Sequence, residues 1–328
     1  MSSCLLDSFN RVIDYLRVSI TDLCNLRCVY CRPKEGVKLV SHHDILRYEE
    51  IMSIIEVARD LGVRKIRITG GEPLVRKDVL SFLSRLTAME GIADVGLTTN
   101  GVLLAPMAAS LKAAGLRRVN VSLDTLRPEV FKAITCGDHL KDVMAGIATA
   151  LQLGFDQVKI NVVLLKGLNE ADVPEFARLT LEQPVDVRFI ERMPFGGEAP
   201  PNAPDPFSAV QVLEMIRSKL GALQPEERTP LDGPARMFRL KGAIGRIGVI
   251  DPITGHFCGT CNRLRLTARG SLRPCLLGPT EIDIKTPLRQ GATKEQLACI
   301  IRAAVFAKPG SHRIASQTIG ESMNMIGG

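Results

Sequence analysis

Tryptophan is absent from the 328 residues, and aromatic side chains make up only 4% of them. That shortage argues against a single-strand nucleic-acid binder, which stacks bases on aromatic rings. No apolar run reaches the roughly eighteen residues that a membrane-spanning helix needs, so no span is expected. The opening residues, Met1-Ser2-Ser3-Cys4-Leu5-Leu6-Asp7, have neither a basic n-region nor an apolar h-region, so no secretory signal is expected. No internal repeat or low-complexity tract stands out. The hydrophobic fraction of 45% is enough for a real core, which excludes global disorder. A cytoplasmic protein of one large domain or two ordinary ones is expected. The net charge of +7 points to anionic partners, without separating nucleic acid from a small phosphorylated substrate.

Cysteine is plentiful instead. Nine cysteines in a chain without a secretory signal argue for metal rather than disulfides. Cys4, Cys136 and Cys299 are scattered and read as ordinary free thiols. The other six form two triplets. The first is Cys24-Asn25-Leu26-Arg27-Cys28-Val29-Tyr30-Cys31. Thiolates hold iron–sulfur clusters, and three of them leave the fourth iron of a cubane open to a non-protein ligand. Structural zinc prefers paired C-x2-C ligands closed by two more, which this lone triplet fits poorly. The second triplet is Cys258-Gly259-Thr260-Cys261 followed by Cys275. His256 is available to complete a Cys3His site, so zinc and iron–sulfur both remain open there.

From Tyr15 to about Arg192, short apolar strands alternate with helical stretches. Strands are expected to begin near Tyr15, Lys65, Asp94, Arg118, Gln157 and Asp186, with helices near 48–61, 78–89, 106–114, 139–153 and 170–181. The alternation predicts a parallel α/β barrel or open sheet. Within the strands one face is repeatedly apolar, as with Leu16, Val18 and Ile20, or Ile66 and Ile68. The other is polar and basic, carrying Arg17, Lys65, Arg67, Asn120, Lys159, Asn161 and Arg188. A parallel sheet covered on both faces should read as continuous hydrophobic runs. The polar face is therefore either solvated or the wall of a lumen that holds an anion, and crossover helices on the outer side favour the lumen.

Chemistry in such folds gathers at the C-terminal ends of strands. The turn Thr69-Gly70-Gly71-Glu72-Pro73-Leu74 lies there, as do Thr98-Thr99-Asn100-Gly101 and Ser122-Leu123-Asp124. Each is compatible with turn chemistry alone; their shared position favours ligand contact. Four prolines in 199–206 read as a linker, dividing 1–205 from a smaller 206–328 part. There, 208–220 and 293–307 are expected to be helical, and 237–240 and 244–250 to be antiparallel strands. Arg263 and Arg265 share one strand face beside the second triplet. Their planar forks suit phosphate, with exposed surface arginines as the alternative. The chain ends Met323-Asn324-Met325-Ile326-Gly327-Gly328.

The first triplet resembles the signature of the radical S-adenosylmethionine (SAM) enzymes. With Tyr15-Leu16-Arg17-Val18-Ser19-Ile20-Thr21-Asp22, the segment from Phe257 to Cys275 and the terminal Gly-Gly, nearly the whole chain resembles the GTP 3′,8-cyclases of molybdenum-cofactor biosynthesis. Leu23, Arg192 and Arg246 depart from that pattern, and none is a proposed ligand. The resemblance implies a partial (β/α)6 TIM-type barrel with a smaller C-terminal α+β domain. It implies two 4Fe-4S clusters, one on Cys24, Cys28 and Cys31, the other on Cys258, Cys261 and Cys275. SAM contacts would come from Tyr30, Gly70, Gly71, Glu72, Thr98, Asn100 and Ser122. Arg17, Lys65, Arg67, Lys159, Arg188, Arg263 and Arg265 would bind GTP, and Arg17, Gly327 and Gly328 would serve catalysis. A 5′-deoxyadenosyl radical would take the ribose C3′ hydrogen, giving (8S)-3′,8-cyclo-7,8-dihydroguanosine 5′-triphosphate. An electron donor is implied; docking of the next enzyme and a homodimer are left open, and neither nucleic acid nor a membrane is expected. The alternatives are a radical-SAM peptide-modifying enzyme with an auxiliary cluster, and a non-enzymatic metal-containing nucleic-acid binder.

Overall fold

The computed structural model describes residues 4–31, 41, 43–195, 207–229, 232–311 and 323. Six parallel strands lie side by side in chain order: β1 (Tyr15–Ser19), β2 (Lys65–Thr69), β3 (Asp94–Thr99), β4 (Arg118–Ser122), β5 (Gln157–Val163) and β6 (Val185–Ile190). Between them run α1 (Tyr48–Asp60), α2 (Val79–Thr87), α3 (Leu104–Ala113), α4 (Pro128–Thr135), α5 (Leu140–Gln152) and α6 (Val173–Glu182). The alternation is the expected one. Helix α4 was not anticipated, although Pro128 at its first turn is a recognised start signal.

The C-terminal part continues with α7 (Ala209–Leu220), β7 (Leu223–Glu226), β8 (Arg236–Leu240), β9 (Arg246–Ile250), β10 (Arg263–Leu266), β11 (Ser271–Arg273), β12 (Ile282–Asp283), α8 (Lys285–Arg289) and α9 (Lys294–Phe306). Helices α7 and α9 start on reciprocal caps: Ser208 with Gln211, and Thr293 with Gln296. β9 pairs in parallel with β6, and β10 pairs in parallel with β1. The strands after the six βα units therefore extend both edges of one sheet, with β7–β8 and β11–β12 added antiparallel. The expected boundary at 205/206 lies outside the described residues.

The alternation in the strands has the consequence the sequence implies. Leu16, Val18, Ile66, Ile68, Val119, Val121, Ile160 and Val187 are fully buried in one core with Ile51, Ile54, Phe82, Leu111 and Phe176 of the helices. The opposite face is buried too: Arg67, Asn120, Lys159, Arg188 and Arg265 are each under 8% exposed. The sheet curls far enough that side chains from β1 to β6 and β10 face one cavity. A solvated sheet face is thereby excluded.

Register arranges that inner face. Arg265, Arg17 and Arg67 stand level on β10, β1 and β2, and Gly96 of β3 is next in the row. Further round, Asn161, Arg188 and Gly248 stand level on β5, β6 and β9. In both rows a glycine follows the last arginine. A Cβ on Gly96 would collide with the Arg67 guanidinium, and one on Gly248 would lie 2.9 Å from Arg188 Cγ. These glycines leave room for long cationic side chains to lie across the neighbouring strand.

Candidate active site

The first triplet follows the C-terminal end of β1. The second lies at the other end of the strands: Cys261 stands two residues before β10, whose Arg263 is level with Tyr15 at the start of β1. Cys275 follows β11, which runs back antiparallel to β10 and returns the chain to that same end. None of the six cysteines is in a disulfide, and all six line one cavity of about 330 Å³. His256 is exposed and is not among the lining residues.

The donor chemistry suits iron at both ends. Burial pushes the Cys28 thiol up, and Asp124, Cys31 and Cys24 push it further. Crowded sulfurs of this kind are relieved by a bound cation, and thiolates are the usual ligands of iron–sulfur clusters. At the other end, burial raises Cys261, but Arg263 and Lys308 outweigh it and hold the thiol at about 7.

The Gly-Gly turn is welded to the loop that carries the first triplet. Gly71 N donates to Thr21 O and Glu72 N to Leu23 O, each at 2.7 Å. A side chain on Gly71 would collide with the Leu23 carbonyl, and one on Gly70, whose φ is +155°, would meet Thr21 O at 2.5 Å. Glycine is thus required by backbone-to-backbone approach. Glu72 is fully buried and lies behind the cavity wall rather than on it. Its carboxylate accepts from Leu74 N, Thr99 Oγ1 and Asn100 N at 3.0, 2.7 and 2.6 Å. Burial nevertheless pushes it up to about 7. Gly70, Gly71, Thr98, Asn100, Ser122 and Tyr30 do line the cavity. Asn100 Nδ2 donates to Asn25 Oδ1 at 2.7 Å, and the Tyr30 hydroxyl donates to Asp124 Oδ2 at 2.7 Å.

Between the triplets lies the cationic wall. Arg17, Lys65, Arg67, Arg188, Arg263 and Arg265 line the cavity, and Lys159 is buried behind it. Burial pushes Lys159 down to about 6, helped by Arg188, and pushes Arg188 down to about 10, helped by Arg67. Arg17 and Arg265 are lowered for the same reason, burial first and neighbouring guanidiniums after it. Arg67 Nη1 and Arg188 Nε are buried without a hydrogen-bond partner among the described residues. Buried donors that carry charge and lack acceptors are costly unless a ligand completes them.

Sequence reasoning missed Tyr15, Asp124 and Lys308. Tyr15 shares the inner face with Arg17, so the two-residue period could have found it. Its hydroxyl accepts from Arg67 Nε at 3.4 Å. Asp124 stood in a strand-end motif already noted. Lys308 had no signal beyond ending a helix. Gly327 and Gly328 lie outside the described residues; Met323 lines the cavity, and its N–H donates to Cys31 O at 3.2 Å.

Comparison with known proteins fits this arrangement. Residues 18–180 match the Radical SAM superfamily and residues 185–314 match Molybdenum Cofactor Synthesis C. The GTP 3′,8-cyclase of Heliobacterium modesticaldum is 49% identical over 99% of this chain and 100% of its own length. This chain belongs to the GTP 3′,8-cyclase family. The GTP 3′,8-cyclase of Thermodesulfovibrio yellowstonii is 50% identical over 92% of this chain and 94% of its own. Streptococcus suis SuiB, solved bound to S-adenosylmethionine, superposes with a TM-score of 0.57 over 90% of this chain and 69% of its own, at 15% identity. At that identity the likeness is one of fold alone, and it agrees with the Radical SAM match to residues 18–180. No helix among the described residues is long and apolar enough to cross a membrane.

Proposed function

We infer that this member of the GTP 3′,8-cyclase family holds SAM and GTP at opposite ends of one cavity. It converts GTP to (8S)-3′,8-cyclo-7,8-dihydroguanosine 5′-triphosphate for molybdenum-cofactor biosynthesis. The observation that carries this reading is the buried cationic wall between two cysteine triplets. A triphosphate supplies the acceptors that Arg67 Nη1 and Arg188 Nε lack.

Cys24, Cys28 and Cys31 would hold one 4Fe-4S cluster, which when bound would supply the electron for cleavage of SAM to methionine and a 5′-deoxyadenosyl radical. Gly70, Gly71, Thr98, Asn100, Ser122 and Tyr30 surround the SAM position, and Glu72 acts one step back by fixing Thr99 and Asn100. The arrangement of strand ends fits a ligand seated at the C-terminal face of the barrel. Cys258, Cys261 and Cys275 hold a second 4Fe-4S cluster, and the exposure of His256 speaks against zinc there. Arg17, Lys65, Arg67, Lys159, Arg188, Arg263 and Arg265 bind the triphosphate. They hold the ribose between the two ends of the cavity, where its C3′ hydrogen atom passes to the 5′-deoxyadenosyl radical, C3′ bonds to C8 of guanine, and one electron from the electron donor with one proton completes the 7,8-dihydro product. Gly327 and Gly328 serve catalysis from the end of the chain.

The test is anaerobic purification with iron and sulfide analysis, then incubation with SAM, a reductant and GTP. Two four-iron clusters per chain and a cyclised GTP product are expected. Zinc on the second triplet, or SAM cleavage that leaves GTP unchanged, would refute the reading.

A further inference from the structure

We propose that Lys308 is a positioning residue for the second metal centre, joining its cysteine-bearing segments through one buried ammonium. The proposal rests on the reading that Cys258, Cys261 and Cys275 hold a cluster. Lys308 is 4% exposed and stands two residues beyond the end of α9. Its Nζ donates to Arg263 O at 2.8 Å and to Pro274 O at 2.6 Å. Arg263 lies two residues beyond Cys261, and Pro274 immediately precedes Cys275. A lysine ammonium has three donors and no acceptor. Two of them are thus spent on the walls of the metal site. The Cys261 and Cys275 sulfurs lie close enough to act on the ammonium electrostatically. Lys308 also lines the cavity.

The remaining cysteine segment is held by the same stretch of chain from the other side. Arg11 Nη1 donates to Cys258 O at 2.7 Å and to Gly310 O at 3.2 Å, and its Nη2 donates to Pro309 O at 2.7 Å. Arg11 is itself fixed by Asp7, whose Oδ2 accepts from Nε at 2.6 Å. Phe9 packs against Gly310 so closely that a Cβ there would lie 2.7 Å from its ring. Residues 308–310 are thereby tied to all three cysteine segments, directly through Lys308 and through Arg11.

Two effects follow. The ties set the spacing of the thiolates, and outer partners of metal ligands typically change metal affinity about 10- to 100-fold when removed. The ammonium also places a positive charge against the sulfurs. Reduction adds negative charge to a cluster, so the ammonium favours the reduced form and raises the midpoint potential.

The experiment compares reconstituted full-length protein with Lys308→Met, which removes ties and charge, and Lys308→Gln, whose amide keeps donors but not charge. The readouts are iron release to a chelator, the midpoint potential of the second cluster by EPR-monitored titration, and SAM binding. We expect Lys308→Met to release the second cluster's iron on the order of tenfold faster, with Lys308→Gln intermediate. Both should shift the second cluster's potential to more negative values and leave SAM binding unchanged. Wild-type release rate and potential in both variants would overturn the proposal. So would an intact second cluster accompanied only by weakened GTP binding, which would make Lys308 a substrate ligand. Should Lys308→Met fail to fold, an unshifted potential in Lys308→Gln overturns the charge effect by itself. Failure of the underlying reading is distinguishable, since the unmodified chain would then hold only one cluster.

Discussion

The guanidinium of Arg67 lies over Gly96, its register partner on the adjacent strand, in space that any side chain would fill. Gly96 has an ordinary backbone conformation, since it is not among the glycines with positive φ. Its role is steric. Gly96→Ala should therefore displace Arg67 without straining the turn chemistry of the barrel. GTP affinity is expected to fall about tenfold, near 1.4 kcal/mol, with SAM affinity unchanged. Calorimetry with each ligand checks this; equal GTP affinity in both proteins would show that Arg67 contributes nothing to the site.

The cationic wall makes a prediction about protons. Lys159 is held at about 6, first by burial and then by Arg188, so it is mostly neutral at pH 8. In Tyr15, burial raises the phenol, but Arg67, Arg17 and Lys65 outweigh it and hold it at about 7. Tyr15 is therefore mostly phenolate at pH 8. A triphosphate raises both values, because negative charge favours the protonated form of each group. GTP binding at pH 8 should thus take up protons, and Lys159→Met and Tyr15→Phe should each reduce the uptake. Calorimetry in buffers of different ionisation enthalpy measures it. Uptake unchanged in both variants would contradict the burial of these groups beside the phosphates.

The two triplets should separate genetically. Cys28→Ala is expected to abolish SAM cleavage. Cys261→Ala should leave slow uncoupled cleavage, seen as 5′-deoxyadenosine, while eliminating cyclised product. Equal loss of cleavage in both, with folds and first clusters intact, would show that the triplets do not have distinct tasks.

The terminal glycines offer a test independent of the described residues. Removal of Gly327 and Gly328 should leave iron content and melting temperature nearly unchanged and reduce cyclisation severely, with GTP binding much less affected. A truncated protein that cyclises GTP at the full rate would remove these residues from catalysis.

Much of this architecture was legible because two periodicities were superimposed. The apolar set Leu16, Val18, Ile66 and Ile68 announced the strands, and the polar set Arg17, Lys65, Arg67, Lys159 and Arg188 announced the lumen. What was hidden lay in long-range pairing. That β9 and β10 extend opposite edges of one sheet depends on contacts hundreds of residues apart, such as Arg17 with Arg265. Glu72 illustrates a subtler limit. Its place in the turn suggested ligand contact, but the fold turns its carboxylate inward to hold Thr99 and Asn100. Lys308 and Arg11 were invisible for a related reason, since the partners that tie them to the cysteine segments are backbone carbonyls, which no side-chain pattern reveals.

The central claim is that one cavity brings the ribose of GTP to a radical generated from SAM. Its most direct measurement is the fate of the ribose C3′ hydrogen. With GTP carrying deuterium at C3′, SAM and a reductant under anaerobic conditions, one deuterium should appear in 5′-deoxyadenosine alongside 3′,8-cyclised product. Formation of 5′-deoxyadenosine free of deuterium, with GTP recovered intact, would contradict it.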